Sequence, residues 1–141
     1  MLGFEKLLLA AVFGQVLLTF IVLIVLGHRR LPLVFADKIK IADIAVSGDA
    51  WPEGAQLASN NLANQFQLPV LFYALSGLAL AIDHVSVWLV ILAVLFVISR
   101  YIHAFVHMTS NRVYRRFVVY LSGMVILGLM WLGFALETLF L

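Results

Sequence analysis

Asn60-Asn61-Leu62-Ala63-Asn64-Gln65-Phe66-Gln67-Leu68-Pro69-Val70-Leu71-Phe72-Tyr73 runs from a cluster of amides into an apolar stretch. Polar groups are costly in hydrocarbon, so amides gathered at the end of such a stretch mark a site rather than a scaffold. A second cluster, Arg100, Tyr101, His103, His107, Asn111 and Arg112, closes another apolar run. The chain is 65% hydrophobic and 11% charged, so these polar residues are concentrated at two helix ends where a soluble protein would scatter them through loops.

Working outward, 141 residues of mean hydropathy +1.11 with several runs long enough to cross about 30 Å of hydrocarbon describe one integral membrane domain, residues 1–141. Four helices are predicted, at about 3–27, 54–82, 86–110 and 113–140, and a helix satisfies its own backbone groups within lipid. The segment from Leu7 to Gly27 is too long for the apolar core of a secretion signal, and no small-x-small cleavage site follows. It is read as an uncleaved first span, ended by Gly27 and by Leu31-Pro32, which opposes continuation. Residues 31–53 mix Phe35, Ile39, Ile41 and Ile44 with charges, as an interfacial, partly helical connection does, and Ser47-Gly48-Asp49 reads as a turn. The short connections at 82–84 and 109–111 make antiparallel hairpins.

A net charge of +2 and a pI near 9.2 do not indicate nucleic acid, because the basic residues sit at helix ends. Eight of the nine, Arg29, Arg30, Lys38, Lys40, Arg100, Arg112, Arg115 and Arg116, belong to the first and third connections; Lys6 alone lies on the other side. The excess of positive residues on cytoplasmic loops places those connections in the cytoplasm and both termini outside. The absence of cysteine excludes disulfides, thiolate catalysis and iron–sulfur clusters, so any reacting thiol must come from a substrate. There is no phosphate loop, nucleophile elbow or carboxylate pair.

On the second helix Gln56, Asn60, Asn64 and Gln67 share one face, suited to line a polar pocket or, more simply, to tie helices together. Pro69 should bend the helix just beyond them. On the third helix Arg100, His103, His107 and Asn111 form a stripe whose positive charge Arg112, Arg115 and Arg116 extend. Arginines at that depth suit an anionic ligand; arginines at a helix end also snorkel to lipid phosphate. Arg100, nearly three turns before the connection, is poorly placed to snorkel. His103 and His107 have the spacing of a helical metal pair but lack further ligands at their depth, so neither metal nor haem is expected. Gln15, deep in the first helix, is expected to donate between helices.

These two segments, 60–73 and 100–117, resemble the MAPEG family, the membrane-associated proteins of eicosanoid and glutathione metabolism, particularly its bacterial members. The resemblance covers nearly the whole chain and implies a four-helix bundle forming a homotrimer, with sites between protomers near the cytoplasmic face. It implies glutathione as cosubstrate and an arginine that holds its thiolate for attack on a lipophilic electrophile or a peroxide. On that pattern Asn64 is the signature asparagine, Tyr101 an aromatic of helix three and Arg112 the activating arginine. Asn60, Gln67, Arg100, His103, His107, Asn111 and Arg116 would complete the substrate site. Animal members carry arginines where this chain has Leu57 and Asn60, and a glutamate where it has Gln67, so clamps for a peptide's carboxylates and amine are missing. The reading that follows is a transferase or peroxidase of a bacterial inner membrane, with itself, lipids and a lipophilic small molecule as partners and no nucleic acid. The alternative is a non-catalytic protein that holds an anionic lipid or small ligand between protomers. A small transporter would want broken helices or repeat symmetry, neither of which the sequence displays.

Overall fold

The computed structural model describes residues 3–110 and 112–140; Asn111 lies outside the described residues. Among the described residues every regular element is an α-helix: α1 (Gly3–Phe35), α2 (Ile41–Ile44), α3 (Glu53–Asn64), α4 (Leu68–Ala81), α5 (Val87–Met108) and α6 (Val113–Phe140). Three of these, α1, α5 and α6, are long and apolar enough to cross a membrane. Each turns only a stripe inward. On α1 the buried residues Leu8, Ala11, Gln15, Leu18, Val22 and Leu26 recur at heptad-like spacing while Phe13, Leu17, Phe20 and Ile24 stay exposed, the pattern of a helix solvated by lipid on its outer faces.

Two predicted boundaries are corrected. The first helix continues eight residues past Gly27, through Pro32. The proline forfeits one hydrogen bond, but its carbonyl still accepts from the Ala36 amide at 3.1 Å. Just before it Arg29 ties the helix down, donating through Nη1 to the Gly54 carbonyl (2.7 Å) and through Nη2 to the Met108 carbonyl (3.0 Å). The helix ends instead at a Schellman motif: Asp37 takes the left-handed conformation (φ 51°), Lys38 N donates to Leu33 O and Asp37 N to Val34 O.

The second correction is at 54–82, predicted as one bent helix and found as two. Phe66 N and Gln67 N donate three residues back, to Ala63 and Asn64, tightening the last turn of α3. Pro69, without an amide proton, cannot donate to the Gln65 carbonyl, and the chain breaks there before restarting as α4. The other predicted ends lie within two residues of those observed, and the turn at Ser47–Asp49 forms, with Trp51 N donating to Gly48 O.

The main core lies towards the 82–86 connection, where Leu8, Phe72, Leu75, Leu89, Phe96, Leu127, Met130 and Phe134 interlock α1, α4, α5 and α6. Phe72 and Phe96 stack with centroids 4.9 Å apart. At this end Glu137 of α6 accepts from the Trp88 indole and pairs with His84 at 3.0 Å. Gly133 makes the approach possible, because a Cβ there would overlap the Trp88 ring. Gly133→Ala is therefore expected to push Trp88 off Glu137 and destabilise the fold by about 1–3 kcal/mol, read as loss of helicity in a mixed-micelle unfolding titration. The opposite end is polar, and there α3, α5 and α6 diverge around a groove.

Candidate functional site

The groove encloses about 340 Å³ between the α3–α4 break, α5 and the start of α6. Asn60, Asn64 and Gln67 form one wall, His103 and His107 the floor, and Arg116, Phe117 and Tyr120 the other wall, with Val113 at the end. The helical break contributes directly: with α3 stopped at Asn64, Gln67 is held at the corner, where its Oε1 accepts from the Tyr120 hydroxyl at 3.3 Å.

Of the residues predicted from sequence, Asn60, Asn64, Gln67, His103, His107 and Arg116 come together here. Arg100 stands one layer behind, fully buried, with Nη2 3.4 Å from His103 Nδ1 and its guanidinium 5.5 Å from the Tyr120 ring. Tyr101 does not line the groove; its hydroxyl donates to the Gly14 carbonyl of α1 at 2.8 Å. Arg112 is exposed at the α5–α6 connection, outside the groove of this chain. Gln56 shares the predicted face of α3 with Asn60 and Asn64 but lies outside the groove, donating to the carbonyls of Asp49 and Trp51 and fastening the turn before α3.

Hydrogen-bond chemistry fixes the order of protons along the floor. A guanidinium can only donate, so Arg116 Nη1, 3.2 Å from His107 Nε2, makes that nitrogen the acceptor. A neutral His107 then carries its proton on Nδ1, which faces the Asn64 amide at 3.4 Å. The atom nearest that nitrogen is Asn64 Nδ2, so the pair is satisfied once the amide is turned to present Oδ1, a turn that leaves its shape unchanged and frees the NH₂ for the groove. By the same logic Arg100 makes His103 Nδ1 an acceptor and leaves the proton on Nε2. Both imidazoles are thus engaged by arginine, and among the described residues no group of three His, Asp or Glu side chains is placed to hold a metal.

Behind the groove runs a second polar line that sequence reading only partly anticipated. Gln15 donates to Gln65 Oε1 (3.0 Å), as expected of an interhelical donor; Gln65 Nε2 donates to Asn61 Oδ1 (3.2 Å), and Asn61 Nδ2 to the Ala104 carbonyl (3.1 Å). Asn61 and Gln65 are buried to within 1% and join α1, the α3–α4 break and α5. Tyr120 and Phe117 were also missed. With Val113 and Arg116 they recur at i, i+3, i+4 and i+7 of α6, a stripe that the sequence does carry.

The arrangement can hold an anion beside a guanidinium, orient it by neutral amides and exclude water on the protein side. A family model described as the MAPEG family matches residues 7–136 of the chain. Comparison with curated proteins and with solved structures gives no match.

Proposed function

Because the chain belongs to the MAPEG family, an assignment that its match over residues 7–136 carries, we propose that this integral membrane protein is a thiol transferase or peroxidase working at the polar groove. In this reading α3 and α4 together make the fourth crossing of a four-helix bundle, and three copies assemble with the groove near the cytoplasmic face of a bacterial inner membrane. The thiol, glutathione or another, binds as its thiolate. Its sulfur lone pair forms a bond to an electrophilic carbon, whose leaving group departs with the displaced electron pair. With a peroxide, sulfur attacks one oxygen instead, the O–O bond breaks and the other oxygen leaves as an alkoxide that takes up a proton to become the alcohol; a second thiol then attacks the resulting sulfenic acid, forming the disulfide and releasing water.

The single observation that supports the reading most is Arg116, partly buried at the groove wall beside His107, where a positive charge lowers the energy of a thiolate relative to the thiol. The resemblance puts the activating role on Arg112. The groove favours Arg116, whose guanidinium lines it. Asn64 and Asn60 would orient the thiol's polar body, and the Phe117 and Val113 side would take the lipophilic partner.

The second reading, a non-catalytic protein that holds an anionic lipid, draws on Arg112 and Arg115, both exposed at the helix end where lipid phosphate lies. Thermal unfolding in detergent with and without millimolar glutathione separates the two, since a ligand bound only to the folded state raises the transition. An upward shift with turnover of a lipophilic electrophile is expected. A shift with anionic phospholipid and none with glutathione would favour the binding protein.

A further inference from the structure

Among the described residues Arg100 has no counter-ion. It is wholly buried on a membrane-spanning helix, its Nη2 makes one long contact to His103, and among the described residues Nε and Nη1 have no partner. The Tyr120 ring offsets only part of that charge. Arginine does not deprotonate in proteins, so the charge persists and, in a medium of low dielectric, extends to the groove one residue away. Among the described residues none that lines the groove is acidic. The small adjoining pocket that shares Asn60 contains Asp49, but there its Oδ2 accepts from Ser47 at 2.6 Å and the pocket also holds Arg30.

An ammonium entering the groove would lose its water and find amides, a phenol and imidazoles whose acceptor nitrogens already face guanidiniums. An anion would find Arg116 directly and the field of Arg100 behind it. We infer that the groove selects an anionic ligand without a free amine: a carboxylate, sulfonate or phosphate on an apolar or acylated body, in preference to a zwitterion carrying an α-amino group. Discrimination here comes from the missing carboxylate as much as from the arginines present. The inference concerns the same groove as the proposed transferase and names what that site would take.

The test compares three probes by calorimetric titration of the full chain in detergent: glutathione, N-acetylglutathione, which keeps the thiol and both carboxylates but loses the amine's charge, and octanesulfonate below its micellar concentration. N-acetylglutathione is expected to bind about tenfold more tightly than glutathione, and Arg100→Gln and Arg116→Gln are each expected to reduce that preference. If Arg100→Gln does not fold, Arg116→Gln, at a partly exposed position, carries the comparison. Equal or tighter binding of glutathione overturns the inference; its loss in Asp49→Asn would then locate the amine in the adjoining pocket. Binding of octanesulfonate alone, weakened in Arg116→Gln, leaves the inference standing and removes the thiol-transfer reading. Binding of none of the three removes both.

Discussion

Arg116→Gln is expected to lower kcat/KM for thiol transfer to a lipophilic electrophile by about a hundredfold to a thousandfold, the scale on which a preorganised positive group acts on developing or stored negative charge. Arg112→Gln is expected to change it less than about threefold, as exposed charges at a distance do in physiological salt. The contrast follows from position: Arg116 lines the groove and touches His107, whereas Arg112 is exposed outside it. The assay is conjugation in detergent, with the assembly's mass followed in parallel. A large loss in Arg112→Gln instead would mean that a neighbouring copy completes the site with that residue, which restores the assignment that the family resemblance suggests.

Asn61→Leu should cost the fold about 2–3 kcal/mol. The side chain is wholly buried and both ends are in use, Nδ2 on the Ala104 carbonyl and Oδ1 on Gln65. Leucine fills the volume but strands a backbone carbonyl and half of an amide in an apolar interior, each worth about 1–3 kcal/mol in water and less in a bilayer, where other partners compete. Asn60→Leu, one residue away but exposed, is the control and should shift stability by less than about 0.5 kcal/mol. Mixed-micelle unfolding followed by helicity measures both. An equal cost at the two positions would show that the buried line does not hold the helices.

Three of the four predicted spans, α1, α5 and α6, were legible because hydropathy and length are properties of a segment by itself. The break between α3 and α4 was legible only in part: Pro69 announced a bend, but the local sequence does not carry the tertiary surroundings in which the helix stops, such as Tyr120 of α6, which meets Gln67 from 53 residues away. The same holds at Pro32, where Arg29 reaches Gly54 and Met108 and keeps α1 helical past the residue that the chain alone would end it on. In the groove, Asn60, Asn64, His103 and His107 assembled because the stripes on α3 and α5 are periodic, and Gln67 from the break and Arg116 of α6 join them. Tyr101 and Arg112, given their roles by the family resemblance, lie outside the groove of this chain, Tyr101 bonded to Gly14 of α1 and Arg112 exposed. Tyr120 and Phe117 were hidden by the apolar company of α6, although their spacing from Arg116 would have put them beside it.

The buried line from Gln15 to Ala104 has a consequence for biosynthesis. α3 is short and rich in amides, and it is not among the helices apolar enough to cross a membrane unaided. Gln15, made early, can meet Gln65 as soon as α4 begins, but Asn61 has to wait for Ala104, 43 residues further along the nascent chain. Until α5 leaves the ribosome, the polar helix has only part of its support. If α3 and α4 together form the proposed fourth crossing, its settling is therefore expected to be late and co-operative, and a chain stalled after Ala81 is expected to display α3 to water or to the insertion machinery rather than to lipid.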